Sequence, residues 1–401
     1  MYDVMEGIKV VEVAEHTFVP AAAMILADWG AEVIKIERPT DGGDPGRDLN
    51  IPNTSRDGMN MYFEAANRGK RSMGLDLTQP QGREILYKLV ESADVFITNL
   101  RASARKKLGI ETSDLMKLNP RLIYARGTGY GLRGAMANDG GFDFPSSWCR
   151  SGSAYMQIPG DAEPRSQPGA IGDLGGGATL AGAISAALFR RERTGKGAIV
   201  DNALYLIGIY LMSQSVVGAG MGLKRSPNGP RAEAHNPIAN QYRTKDGRWI
   251  ALCLLFDSWW PDLVRHLDRP DLLEDPRFAD GKARRANNKA LIAELDTIFA
   301  QNDYAVWLEK LKTLQGVWAP LQSPDEVMND PQARENGFVT EILTDDGRKY
   351  FGGASPAQFD ERPIGQLRAA PAFNAHANTI MRELGITDAQ IAGLREKGVV
   401  P

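Results

Sequence analysis

The stretch that most restricts the fold lies near the N-terminus, where "GIKVVEVA" (Gly7 to Ala14), "PAAAMILADWG" (Pro20 to Gly30) and "AEVIKIE" (Ala31 to Glu37) follow one another. The outer two segments have the β-branched density of buried strands. The middle one is an apolar helical run closed by a glycine, so the three together predict a βαβ unit. The alternation continues through the strand "RSMGLDL", the helix "QPQGREILYKLVESA", the strand "DVFITNL", the helical "ASARKKLGIETSDLMKLNP" and the strand "RLIYARGTGYG". Strands alternating with helices imply an open, mostly parallel, Rossmann-like α/β sheet, whose ligand-binding loops follow the carboxyl ends of the strands.

A chain of 401 residues exceeds the usual size of one hydrophobic core, so two domains are expected. The segment "AIVDNALYLIGIYLMSQSVVGAG" (Ala198 to Gly220) predicts a short strand and a long apolar helix, and "LKRSPNGPRAEAHNPIAN" reads as a linker. "QYRTKDGRWIALCLL" predicts a hairpin around Asp246 and Gly247, helices follow from Trp259 to about Leu314, and "EILTDDGRKYFGG" predicts a second hairpin ahead of a helical C-terminus. The expected organisation is a large α/β domain over residues 1–200, a linker helix at 201–225, a smaller inserted α+β domain at 226–335, and a return to the large domain at 336–401.

A net charge of -3 gives no overall attraction to nucleic acid or to acidic membranes, which favours small-molecule ligands. The two cysteines, Cys149 and Cys253, make no disulfide framework, in keeping with a reducing cytoplasm. No secretory leader or uninterrupted membrane-length apolar run stands out, so neither a nucleic-acid nor a membrane partner is expected. His16, His235, His266 and His376 have no metal-ligand spacing, and no metal site is expected. A G-x-S-x-G elbow is absent, which removes support for a serine hydrolase.

In "GAIGDLGGGATLAGAISAALFRRERTGKG", Asp173 stands just ahead of Gly175, Gly176 and Gly177 and an apolar helix. An N-cap explains the acid but not the glycines, each of which costs backbone entropy; they suit close approach of a ligand or another backbone. The first βα loop, "AEHTFVP", has no glycine and so lacks the dinucleotide fingerprint. Glu37 could meet a ribose, but Arg38 follows it and suits a phosphate-bearing nucleotide. Two basic clusters near strand ends, Arg68, Lys70 and Arg71, then Arg101, Arg105, Lys106 and Lys107, could converge on a polyphosphate or could be solvated faces.

Taken in order, "GIKVVEVAEHTFVPAAAMILADWGAEVIKIERP", "NRGKRSMGLDL", "ADVFITNLR", "GTGYG", "GGFDF", "GDLGGGATLAG" and "LGITDAQIAGLREKGVV" resemble the family III CoA transferases, a group that includes formyl-CoA transferase and the related α-methylacyl-CoA racemases. The resemblance implies that Asp173 is a nucleophile that attacks an acyl-CoA thioester and passes through an anhydride and an aspartyl-CoA thioester. The N–H groups of Gly175, Gly176 and Gly177 are then the expected oxyanion donors. It also implies CoA contacts at Thr17, Phe18, Val19, Arg38, Arg71, Met73, Asn99, Leu100 and Lys107, coenzyme A as a substrate rather than a tightly bound cofactor, a small carboxylic acid as the other substrate, and an intertwined, ring-like homodimer. The racemase branch pairs its aspartate with a histidine in "GHD"; this sequence reads Gly141, Phe142, Asp143, and phenylalanine cannot exchange a proton. A non-catalytic acyl-CoA-binding protein is the remaining alternative.

Overall fold

The computed structural model describes all residues except 159–162, 225, 226 and 228, together with all side chains of the described residues except that of residue 41. The chain divides into two compact units: the first comprises Met1–Tyr155, Arg165–Arg225 and Asp330–Pro401, the second Met156–Pro164 and Ser226–Asn329.

In the first unit, β1 (Lys9–Val13), β2 (Glu32–Glu37), β3 (Arg71–Gly74), β4 (Val95–Thr98), β5 (Ile123–Thr128) and β6 (Ala198–Ala203) form one six-stranded sheet in the order 3-2-1-4-5-6. Every pairing in it is parallel. The order reverses between β1 and β4, so the loops leaving those two strands diverge and open a crevice at their carboxyl ends. Both faces are covered, as a parallel sheet requires. On one face α1 (Phe18–Asp28) and α4 (Ile171–Thr194) pack with Val10, Val33, Val95 and Ile123. On the other, α2 (Pro80–Glu91) and the C-terminal helices Ala377–Glu383 and Asp388–Glu396 pack on Val11, Ile34 and Phe96.

Helix α1 is buried around its whole circumference, which explains its apolar composition without amphipathic spacing. It begins two residues before the expected Pro20. Helix α4 is long and apolar enough to cross a membrane, yet its Leu180, Ile184 and Leu188 belong to the core beneath the sheet. The helical segment after β4 is two helices, α3 (Ala102–Leu108) and Thr112–Leu118, because Gly109 adopts a left-handed conformation and ends the first.

The expected linker helix at 201–225 is corrected. Residues 201–203 finish β6 by pairing with Arg126, Gly127 and Thr128, and two helices follow, α5 (Leu204–Leu211) and α6 (Ser213–Gly220). The boundary at 225 and 226 lies outside the described residues. Residues Asp330–Glu335, expected in the small domain, belong to the first unit, where the helix Pro331–Glu335 meets the strand Val339–Leu343.

The second unit contains the expected hairpin, β7 (Gln241–Arg243) and β8 (Trp249–Cys253), but β8 also pairs antiparallel with a third strand, β9 (Val317–Pro320). Trp260 and Trp307 fill its core, although Trp259 is only partly buried against it.

Candidate active site

Two adjoining cavities lie at the reversal point of the sheet. One, of about 470 Å³, is lined by Asp173 together with Glu15, His16, Phe18, Asn99 and Phe142, among others. The second, of about 450 Å³, holds Arg38 and extends from β1 and β2 to α3. Glu15, Leu100 and Ala104 line both, so the two meet at the loop after β1 and the start of α3.

That loop is held rigidly. The Asn99 side chain clamps Glu15 from both sides: its Oδ1 accepts from the Glu15 N–H at 3.0 Å, and its Nδ2 donates to the Glu15 carbonyl at 2.6 Å. The next residue, His16, has a left-handed φ of 66°, an unfavourable conformation for a side chain of this size. Its N–H donates to Asp44 Oδ1 at 3.0 Å. Asp44 is in turn fixed by buried Lys35, whose ammonium lies 2.8 Å from Asp44 and 2.8 Å from Glu12. The neighbouring Lys70 completes this buried cluster at 2.6 Å from Glu12; burial pushes its ammonium down to about 8, against the pull of Glu12. The strained loop thus rests on charges inside the sheet, and the His16 ring meets Phe142 edge-on at 5.3 Å.

Asp173 is the third residue of α4, and Ala170 occupies the N-cap position, so the N-cap reading of Asp173 does not hold. Its half-buried carboxylate has no hydrogen bond or ion pair among the described residues. Burial, with a smaller contribution from the charge of Asp143, pushes it up to about 7. Unlike an ordinary aspartate, it therefore holds its proton up towards neutral pH.

The glycines around it have separate duties. A Cβ on Gly176 would lie 2.6 Å from the Phe18 ring, and one on Gly177 would lie 2.7 Å from Ala21 Cβ; both let α4 cross α1 closely. The close approach anticipated for these glycines is therefore made by another helix. The expectation that Gly175, Gly176 and Gly177 are oxyanion donors is corrected on a separate ground. Inside a helix that starts at Ile171, their N–H groups already donate to the carbonyls four residues back.

Among the expected CoA contacts, Phe18, Arg38, Asn99 and Leu100 line the two cavities. Arg38 keeps a half-exposed guanidinium 3.4 Å from Glu15. Lys107 is exposed on α3, beside Ala104 and Leu108, which line the second cavity. The others are placed elsewhere. Val19 is fully buried and packs where a Cβ on Gly127 would stand, 2.2 Å away. Met73 is a core residue, and Thr17 is buried at the start of α1. Arg71 pairs with Glu32, at the amino end of β2, and with Glu383 at 2.8 Å, away from the ligand end of the sheet.

The basic clusters are largely structural. Arg68 forms a buried pair with Asp28 at 2.6 Å, Lys70 belongs to the Glu12 cluster, and Arg105 is buried against Glu111 at 3.2 Å. Arg101, Lys106 and Lys107 remain exposed. Glu37 is no ribose ligand either, being buried and held by Arg47 at 2.7 Å. Sequence reasoning missed Glu15 and His16, although a short loop at a reversal point could have drawn attention to every polar residue in it. Asp143 was missed as well; its signal is an acid two residues after Gly141, in a segment read only for the absence of a histidine.

The sheet order, the crevice and a carboxylate at a glycine-rich helix start define a ligand-binding α/β chain with an acid lining its crevice. Comparison with known proteins agrees: CoA-transferase family III matches residues 5–377. The chain belongs to this family and is a family III CoA-transferase. It is 29% identical over 397 residues to the (R)-2-hydroxy-4-methylpentanoate CoA-transferase of Clostridioides difficile, covering 99% of each chain. It is 32% identical to the succinate–glutarate CoA-transferase of Agrobacterium fabrum (strain C58 / ATCC 33970), covering 95% of each. Among solved structures, a CAIB/BAIF family protein from Brucella suis is similar with a TM-score of 0.83 and 31% identity, over 95% of this chain and 99% of that one.

Proposed function

We propose that the protein moves coenzyme A between an acyl-CoA thioester and a small carboxylic acid, with Asp173 as the nucleophile. The observation that carries this is a carboxylate without hydrogen-bond partners among the described residues, lining the cavity at the crevice of the sheet. The Asp173 carboxylate attacks the thioester carbonyl, and the C–S bond breaks to leave a mixed anhydride and CoA thiolate. The thiolate attacks the Asp173 carbonyl of the anhydride, releasing the first acid and leaving an aspartyl-CoA thioester. The carboxylate of the second acid attacks that thioester to give a new anhydride, and the thiolate takes its acyl group as product, restoring Asp173. The positive end of the 24-residue α4 faces the charge that develops on each tetrahedral oxygen.

In this reading Arg38, which lines the second cavity, and Lys107, exposed on α3, take CoA phosphates, and Leu100 and Asn99 line the way to Asp173. The similar proteins are named for a 2-hydroxy acid and for dicarboxylic acids, and small acids of these kinds are the acceptor class proposed here. A homodimer and an inserted smaller domain complete the reading, together with a cytoplasmic location. Support for a second copy comes from α5 and α6 and the residue that follows, which leave Tyr210, Val217 and Met221 exposed at 71%, 59% and 73%.

The test is Asp173→Asn assayed by mass spectrometry for thioester exchange among acyl-CoA and acid panels. Exchange is expected to vanish while CoA binding survives, and only the wild-type protein should yield a hydroxylamine-sensitive acyl or CoA adduct at Asp173. Full exchange by Asp173→Asn, with deamidation excluded by mass, would end this reading. An epimerase reading has one observation in its favour, His16 lining the same cavity as Asp173. Incorporation of α-deuterium from heavy water at the turnover rate, without acyl exchange, would establish that instead.

A further inference from the structure

The carboxylate beside Asp173 has no part in the chemistry above, yet the first turn of α4 is assembled around it. Asp143 is buried. Its Oδ2 accepts from the Gly172 N–H at 2.9 Å and from Gln167 Nε2 at 2.8 Å, while its Oδ1 is buried without a hydrogen-bond partner among the described residues. Glycine is needed at 172 for this: a Cβ there would stand 2.1 Å from Asp143 Oδ1 and 2.3 Å from Ser147 Oγ.

A carboxylate in the first turn of a helix is ordinarily stabilised by the free N–H groups of that turn, which lower its basicity. In α4 the Gly172 donor is already occupied, and Asp173 accepts no hydrogen bond among the described residues. We propose that Asp143 is a positioning residue for the exchange reaction: it takes up the Gly172 N–H and sets a fixed negative charge beside Asp173, so that Asp173 meets the thioester as an unshielded, more basic carboxylate. This rests on Asp173 being the nucleophile. The other charged or titratable groups around the cavity are Glu15 and His16 after β1, Arg101 and Arg105 at α3, and Asp139 after β5. Arg150 lies near Tyr130 and Tyr205, 5.8 and 5.5 Å from their ring centres. Burial and the Asp143 charge act in one direction on Asp173.

The experiment measures exchange against pH, KM for acyl-CoA and melting temperature in Asp143→Asn and Asp143→Ala. Asparagine keeps an oxygen for the Gly172 N–H but removes the charge. The acid limb of the kcat profile should move down by about one pH unit. Exchange at pH 8 should fall about threefold, because a carboxylate one pH unit less basic is a modestly poorer nucleophile, with KM at its wild-type value. Alanine removes the charge and also the acceptor for the Gly172 N–H, and should shift the limb and lower exchange at least as much as asparagine does. A wild-type limb and kcat in folded Asp143→Asn would overturn the proposal. So would a melting temperature that falls while kcat and its profile stay put, since that is a purely structural role. If alanine prevents folding, the isosteric asparagine carries the test alone. Failure of the parent reading is seen separately, as the absence of any acyl or CoA adduct on wild-type Asp173, and it takes this proposal with it.

Discussion

Asp173→Asn should stabilise the fold at alkaline pH, and the gain should disappear in acid. In the native protein the Asp173 carboxyl is pushed up to about 7 from an ordinary 3.8. The native state therefore holds the proton more tightly than the unfolded chain does. As pH rises through 3.8 the unfolded chain ionises freely while the native state resists, so stability is lost progressively until about 7 and is constant above it. The separation corresponds to about 4 kcal/mol as an upper limit, and solvent at the half-buried carboxylate reduces this to on the order of 1–2 kcal/mol. Asparagine has no charge to desolvate, so the variant avoids this cost. Urea unfolding at pH 5 and pH 8 measures it, and the advantage of asparagine should be larger at pH 8 by about 1 kcal/mol or more. In melting experiments this is about 2 °C or more for a unit of this size. A pH-independent difference, or a variant less stable than wild type at pH 8, would refute the desolvated carboxylate.

Arg38→Ala should raise the Kd for CoA by roughly 10- to 100-fold, as loss of a charge-assisted phosphate contact does, and calorimetry on the folded variant measures it. Unchanged affinity would leave Arg38 with its Glu15 partner alone. Glu12→Leu removes the carboxylate shared by buried Lys35 and Lys70 and should cost about 3–5 kcal/mol in urea unfolding. A loss below about 1 kcal/mol would show that the two lysines do not depend on it. Sedimentation across a hundredfold range of concentration should give a dimer; a monomer throughout would remove the second copy proposed for α5 and α6.

Much of the fold is legible in the sequence because a parallel sheet buried on both faces writes itself as repeated β-branched runs, such as "KVVEV" and "EVIKIE", separated by helical segments. β9 escapes that reading. Val317–Pro320 is short, ends in proline and pairs only with β8, and a lone edge strand has no periodicity of its own. At the site, Asp173 and Arg38 are legible because each departs from its surroundings, one as an acid beside glycines, the other as a cation at a strand end. Charge alone does not separate Arg38 from Arg68, Lys70 or Arg105, which are answered by Asp28, Glu12 and Glu111, two of them dozens of residues away. Asp143 is hidden for the same reason. Its partners are Gly172 and Gln167, more than 20 residues downstream, and the space it needs is recorded only as the missing side chain of Gly172. Two of the glycines that draw the eye, Gly176 and Gly177, serve helix packing, while the one that makes room for Asp143 stands just before Asp173. Local pattern thus locates Asp173, and only the tertiary fold brings Asp143 to the first turn of its helix.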